Sequence, residues 1–394
     1  MEGSIILGDG LPALACARSL GGKHIPVNVI IDAHMKGIRF CKKSKFCKYY
    51  SELDNLSENR LINYLRKLHR FHGSLLIPVS DQYLISLAKN YDIIERLFVP
   101  SFPKYDTIIK LSNKAELYKS IKSYAPVPRT VIVDDSSTIK KIAKENIYPS
   151  IIKPSDSVKG HYLFQQTGIK CVLVQSKEDL LRKYKWILKY DSRPIIQEYI
   201  PGPPSNVYSF CAVIDKKRRF RAIFTGRKIR QDPLDFGRAT IAESTWTPQI
   251  IRHSLKILKK SQYYGIVEIE FKYDYRDNEY KVLEINPRIW TWIGITRACG
   301  IDFPWILYST FMRTEIKSEY PSHKSDNRSV RWISMSRDIN LLKKCIKSRN
   351  ISLKNLCTWF SPWCTNEISE ASLSFSDILP NVEIFRRALM KWIR

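Results

Sequence analysis

Of the nine cysteines in this 394-residue chain, no two form a Cys-x-x-Cys pair, and their spacing outlines no even framework. Cys41 and Cys47 have five residues between them, and Cys357 and Cys364 six. Neither spacing is that of a zinc knuckle, so reduced thiols in a cytoplasmic protein are expected. No apolar run approaches the roughly 18 residues that a membrane-spanning helix needs. The apolar N-terminus lacks a basic leader and is cut by Asp9 and Arg18, so no secretory signal is expected. Constellations of Ser-His-Asp or Cys-His type are missing, which argues against a protein nucleophile. Acids are also scarce: 38 Asp and Glu stand against 65 Lys and Arg, a formal charge of +27. Such a field favours polyanions, namely nucleotides, nucleic acid, anionic lipid or acidic glycans. With no RNA-binding signature and no basic-aromatic repeat, nucleic acid is disfavoured on everything except charge. The basic run KKRRFR at 216–221 reads as a turn between strands.

What is present is richest between Gly265 and Arg288, GIVEIEFKYDYRDNEYKVLEINPR. Val267, Ile269 and Phe271 alternate with Glu268, Glu270 and Lys272, the period of a half-buried strand. Asp274 to Glu279 is turn-like, and Tyr280, Val282, Leu283 and Ile285 resume the apolar pattern. Glu268 and Asp274 suit a solvated outer face. Glu284 does not, embedded as it is in VLEINP. Glu270, Glu284 and Asn286 would converge from neighbouring strands as three oxygen ligands suited to Mg²⁺, with Arg288 able to grip a phosphate by a bidentate fork.

The length implies two or three domains. Ser4 to Leu7, a helix from Gly10 to about Leu20 and Val27 to Ile31 make a βαβ start with Gly8-x-Gly10-x-x-Ala13 and Asp32. Leu75 to Val79 adds a strand. Asn113 is placed to cap a helix beginning at Lys114. The strand YPSIIKP carries Lys153 at its apolar end, where a half-buried ammonium needs an anion such as a phosphate oxygen. The loop after it has only Gly160 and Gly168. Within FTGRKIRQDPLDFGRATIAE, alternation would set Lys228 and Arg230 on one face, aimed at one anion. Trp290 and Trp292 read as core. Residues 313–330 read as an exposed linker. Near the end, Ile384, Phe385, Ala388, Leu389, Trp392 and Ile393 form an apolar stripe opposite Arg386, Arg387, Lys391 and Arg394, a helix to dock on its own domain or to lie on an anionic membrane surface.

The acid at 270 followed by Glu284-x-Asn286-Pro-Arg resembles the metal motif of the ATP-grasp superfamily. Asn113-Lys114 with P-V-P-R-T, YPSIIKP, PIIQEYIPG and the GRK-x-R-Q segment follow in superfamily order. The last is similar to a subgroup of carboxylate–amine ligases related to D-aspartate ligase. The resemblance implies an α/β and α+β multidomain protein: a Rossmann-like N-terminal domain (1–105), a first ATP-grasp lobe (106–200), a second lobe with the metal site (201–315) and a C-terminal extension (316–394). It implies ATP with Mg²⁺, or Mn²⁺ in its place, and small-molecule carboxylate and amine substrates joined through an acylphosphate. Lys114 and Lys153 would then hold phosphates, while Gln197, Glu198, Tyr199 and Ile200 would form the adenine hinge. Asn206 would stand in for the acid that meets the ribose. Lys228, Arg230 and Arg288 would stabilise the transferred group. Two other readings stay open here: an NAD-dependent oxidoreductase built on the N-terminal glycine pattern, and a basic nucleic-acid or membrane-surface binding protein.

Overall fold

The computed structural model describes residues 2–35, 37–54, 57–133, 138–312, 329–348, 356–364 and 367–383. The first sheet is parallel, with β1 (Ser4–Leu7), β2 (Val27–Asp32), β3 (Tyr49–Leu53), β4 (Leu75–Pro78) and β5 (Val99–Pro100) in the order β3-β2-β1-β4-β5. Its central strands are mostly apolar and buried, with Ser4 and Asn28 as buried polar exceptions, because both faces are covered. The chain leaves β1 in opposite directions toward β2 and β4, which opens a crevice beyond their carboxyl ends. Gly8 and Gly10 take positive φ there. Asp9 between them is buried, accepting from the Gly10 and Cys41 amides and from the Tyr50 hydroxyl.

A four-stranded antiparallel sheet follows, with β6 (Thr130–Ile132), β7 (Ser150–Lys153), β8 (Val172–Val174) and β9 (Ile195–Glu198) in the order β6-β9-β7-β8. Helices Ile139–Glu145 and Lys177–Ile187 give it a core of its own, including Ile152, Leu180 and Ile196. The largest sheet comprises β10 (Val207–Ile214), β11 (Phe220–Asp232), β12 (Arg238–Thr245), β13 (Gly265–Asp274), β14 (Glu279–Asn286), β15 (Arg331–Ile333) and β16 (Ile368–Glu370). Its order is β14-β13-β10-β11-β12-β15-β16. Of the run at 216–221, residues 216–219 form the turn between β10 and β11, closed by the Arg218 amide on the Asp215 carbonyl at 2.9 Å, and Phe220 and Arg221 begin β11.

One hydrophobic core joins Leu76 and Leu84 of the N-terminal sheet layer to Phe210, Ile269 and Phe271 of the large sheet, and a second joins Ile6 and Leu14 to Phe224, Trp290 and Trp292. The N-terminal and large sheets therefore pack as one body, and both tryptophans are core residues as expected. Gly265, with φ +109°, opens β13 against this junction; a Cβ there would lie 2.2 Å from the Ser101 carbonyl oxygen.

The stretch after residue 315, read from sequence as an extension, supplies β15 and β16 to the large sheet. It also anchors to the first domain, where Asp377 accepts from Arg18 Nε at 2.9 Å and Ser44 Oγ at 2.7 Å. The amphipathic stripe at 384–393 and nearly all of the expected linker lie outside the described residues.

Candidate active site

The hairpin of β13 and β14 builds the site. Along β13, Glu268 and Glu270 share one face and Val267, Ile269 and Phe271 the other, which is core. Glu270 pairs across with Glu284, and Glu268 with Asn286. Simple alternation along β14 would put Glu284 on the same face as buried Val282. Instead Phe271 pairs with Val282 and Glu270 with Glu284, so Leu283 is an extra, bulged residue. That single residue sends Val282 and Ile285 into the core and Glu284 to the opposite face.

Neighbouring strands and the first lobe complete the cluster. Lys228 on β11 is buried, with Nζ 2.9 Å from Glu270 Oε2. Lys114 opens helix Lys114–Ile121, capped by Asn113 through the Ala115 and Glu116 amides, and its Nζ lies 3.5 Å from Glu284 Oε2. One turn further on, Tyr118 donates its hydroxyl proton to the bulged Leu283 carbonyl at 2.5 Å and accepts from Lys153 Nζ at 3.2 Å. Lys153 is buried at the end of β7, as its apolar strand implied, and the tyrosine is its hydrogen-bond acceptor.

The electrostatics follow from this crowding. Burial alone would raise the Glu284 carboxyl, but Lys114, Lys153, Lys228 and Lys170 outweigh it and hold it down at about 2. For Glu268 burial, then repulsion by Glu270, outweighs Lys228 and Arg288 and pushes it up to about 8. Burial pushes Lys153 down to about 8, with Glu284 offsetting only part of the cost. Lys170 is likewise pushed to about 8 by burial and then by Arg238 and Lys228. Lys228 is raised despite its burial because Glu270 faces it. Glu270 and Glu284 thus lie among several enclosed ammonium groups, an arrangement that a polyanion carrying a divalent cation would complete.

Several sequence expectations need correction. Asn286 does not turn its oxygen toward the acids: its Nδ2 donates to Glu268 Oε2 at 3.1 Å and lies 3.4 Å from Glu284 Oε1, while Oδ1 accepts from Arg288 at 3.2 Å. Among the described residues, no three His, Cys, Asp or Glu side chains form a metal cage. Two opposed carboxylates still fit Mg²⁺, which keeps waters and takes its other oxygens from substrate. Glu268 and Asp274 are not solvated, being 3% and 0% exposed. Asp274 is held well below the usual carboxylate range by Arg276 and Lys281.

Arg230 leaves the cluster altogether. β11 bulges at Ile229, Lys228 pairing with Ala242 and Arg230 with Ile241. The guanidinium turns instead to buried Asp338 at 2.6 Å and stacks on Trp359, its centre 3.7 Å from the ring. Arg288 does stay beside the site, between Asn286 and Asp81, whose Oδ2 is 3.0 Å away.

At the hinge, the amides of Glu198 and Tyr199 already donate to the Arg129 and Pro149 carbonyls, and the Glu198 carboxylate meets Lys281 at 3.2 Å. Gln197 is buried, donating to Thr130 at 2.8 Å, and its Oε1 has no partner. Ile200 is buried, and Asn206 ends a short 3₁₀ turn against Gly202. Residues 197–200 thus leave β9 with the Glu198 and Tyr199 amides already spent within the lobe.

The segment after β7 is not a glycine-rich loop. It is the helix Ser157–Thr167, capped by Asp156 and stopped by Gly168 at φ 73°. This helix approaches helix Asp81–Lys89 across the crevice. Its entry is fixed by buried Asp191, which accepts from the Ser155 amide at 2.7 Å and from Lys159 Nζ at 2.9 Å.

Residues 195–336 match the family described as ATP-grasp in the biosynthetic pathway with Ter operon. The fold is that of the ATP-grasp enzymes. The chain is 24% identical over 277 residues to D-aspartate ligase of Enterococcus faecium (strain Aus0004), a match covering 68% of this chain and 66% of that protein. Among solved ATP-grasp relatives, N5-carboxyaminoimidazole synthetase from Staphylococcus aureus in complex with ADP superposes with a TM-score of 0.64 at 15% identity, over 89% of this chain and 87% of that one. The biotin carboxylase domain of Hydrogenobacter thermophilus 2-oxoglutarate carboxylase, with its magnesium ADP and bicarbonate, gives 0.64 at 16% identity over 84% and 74%.

Sequence reasoning missed three members of the charged cluster around Glu284. Glu268 had a signal, since it alternates with Glu270 on one strand face. Tyr118 had another, one helical turn from Lys114. Lys170 had none.

Proposed function

We propose that this chain is an ATP-dependent ligase that activates a carboxylate as an acylphosphate and joins it to an amine. The observation that carries this reading is the opposition of Glu270 and Glu284 beneath Lys114, Lys153 and Lys228. The likeness to D-aspartate ligase supports an amino acid as one partner, and the magnesium ADP of the biotin carboxylase relative supports the nucleotide and the metal.

ATP would lie between the two lobes, with the hinge 197–200 and Asn206 toward its nucleoside and Lys114 and Lys153 on its phosphates. Glu270 and Glu284, with Asn286 beside them, would hold Mg²⁺ or Mn²⁺, whose contribution is to neutralise charge between phosphate oxygens. The substrate carboxylate attacks the γ-phosphorus, the bond to the ADP oxygen breaks, and an acylphosphate results. The amine then adds to its carbonyl carbon, and inorganic phosphate leaves the tetrahedral adduct to give the amide.

In this scheme Lys228 and Arg288 face the transferred group, and the enzyme works by positioning and charge compensation, with no covalent protein intermediate. Phosphate release from ATP·Mg²⁺ should require one carboxylate together with one amine and should vanish in Glu284→Ala. ADP formation indifferent to that substitution would refute the site.

A further inference from the structure

After β16 the chain wears its polarity inside out. Ser372, Asp377 and Asn381 are buried, while Phe375 is fully exposed and Ile378, Leu379 and Val382 are 56%, 60% and 50% exposed. Leu373 is exposed as well. Single apolar side chains in water are ordinary, but so many in one short run make a patch of the kind that a partner covers.

The run is held in place by its polar side. Asp377, in the middle of it, accepts from Arg18 Nε at 2.9 Å, Ser44 Oγ at 2.7 Å and the Lys45 amide at 3.0 Å. Arg18 also donates to the Asp377 carbonyl at 3.0 Å. These bonds set the apolar run against Lys42-Lys43-Ser44-Lys45-Phe46-Cys47-Lys48 of the first domain, where all four lysines are exposed. Lys42 meets Glu52 at 2.8 Å. Among the described residues, Lys43, Lys45 and Lys48 meet no carboxylate.

Charge selects among the surfaces that could cover such a patch. A second copy of this chain would bring +27 against +27. The final residues of the chain, with Arg386, Arg387, Lys391 and Arg394, would add cations to a face that is already cationic. Nucleic acid would satisfy the lysines and leave the apolar side chains in water. An anionic bilayer takes both at once: its headgroups attract the lysines, and the aromatic and aliphatic side chains enter the boundary with the acyl chains. We infer that the segment 373–382 and the lysine run 42–48 together form a peripheral docking surface for an anionic lipid bilayer. This goes beyond the ligase reading and does not depend on it.

For the test, the full-length protein is sedimented with vesicles of phosphatidylcholine alone and of phosphatidylcholine mixed with phosphatidylglycerol. It should bind the mixed vesicles but not the neutral ones, and more weakly as salt rises. Phe375→Ser with Leu379→Ser, and separately Lys43→Glu with Lys45→Glu, should each weaken binding on the order of 10-fold or more. Both variants should melt with the wild type, because every side chain replaced is exposed. A fluorine-labelled phenylalanine at position 375 reports what covers the patch. Its resonance should be that of a solvated ring in the free protein and should shift only with mixed vesicles. Shielding without vesicles at every protein concentration would put the chain's own terminus there, and shielding that grows with concentration would put a second copy there; either overturns the inference. So does equal binding to neutral vesicles, binding indifferent to either pair of substitutions, or capture of duplex DNA with no binding to mixed vesicles. None of these measurements requires turnover, so failure of phosphate release would count against the ligase reading alone.

Discussion

Lys153 should act against the stability of the protein it serves. Burial pushes its ammonium down to about 8 from an ordinary 10.5. At neutral pH that difference corresponds to a destabilisation of up to about 3 kcal/mol. Because the folded state holds this proton less tightly than the unfolded chain, the penalty is full below pH 8 and fades as pH rises from 8 to 10.5. Nucleotide-free protein should therefore gain stability across that window. Lys153→Met keeps most of the volume and removes the charge, while Tyr118 keeps its bond to the Leu283 carbonyl. Without nucleotide the variant should be more stable at pH 7 by about 1–3 kcal/mol, a rise in melting temperature of roughly 2–4 °C for each kcal/mol. With nucleotide the order should reverse, since losing a buried charge-assisted contact to phosphate costs on the order of 10–100-fold in affinity. Thermal denaturation with and without ATP·Mg²⁺, alongside calorimetric titration, reads both quantities. A variant that is less stable without nucleotide, or that binds nucleotide as the wild type does, would refute the reasoning.

Glu284→Gln should lower phosphate release by on the order of 10²-fold or more, with a partial return at high Mg²⁺, read from steady-state rates across a magnesium series. Arg230→Met should leave nucleotide affinity intact but cost about 3–5 kcal/mol in urea unfolding, because buried Asp338 loses its ion pair with Arg230; adding Asp338→Asn should restore much of the loss. A catalytic Arg230 would show the opposite pattern. Gly265→Ala should cost about 1–3 kcal/mol through its positive φ and the Ser101 carbonyl, measured by the same unfolding experiment.

Much of this molecule was legible along the chain. The largely apolar runs at 4–7, 27–32 and 75–78 become central parallel strands, because a strand covered on both faces is mostly apolar. Asn113 caps its helix, and Lys153 ends a buried strand. Glu270, Glu284 and Arg288 stand out in the sequence because charges inside apolar patterns demand an explanation, and Glu270 and Glu284 pair across one hairpin. Periodicity failed at two bulges. At Leu283 it could not show that Glu284 swings clear of the face holding Val282. At Ile229 it kept Arg230 beside Lys228 when the chain separates them.

Local pattern thus decided the elements and the chemistry available, since hydrophobic period and charge placement belong to each segment. Tertiary structure alone decided which charges meet. A bulge depends on how one strand lies against its neighbour, and the acids that Lys228, Arg230 and Arg288 find come from segments as distant as residues 270, 338 and 81.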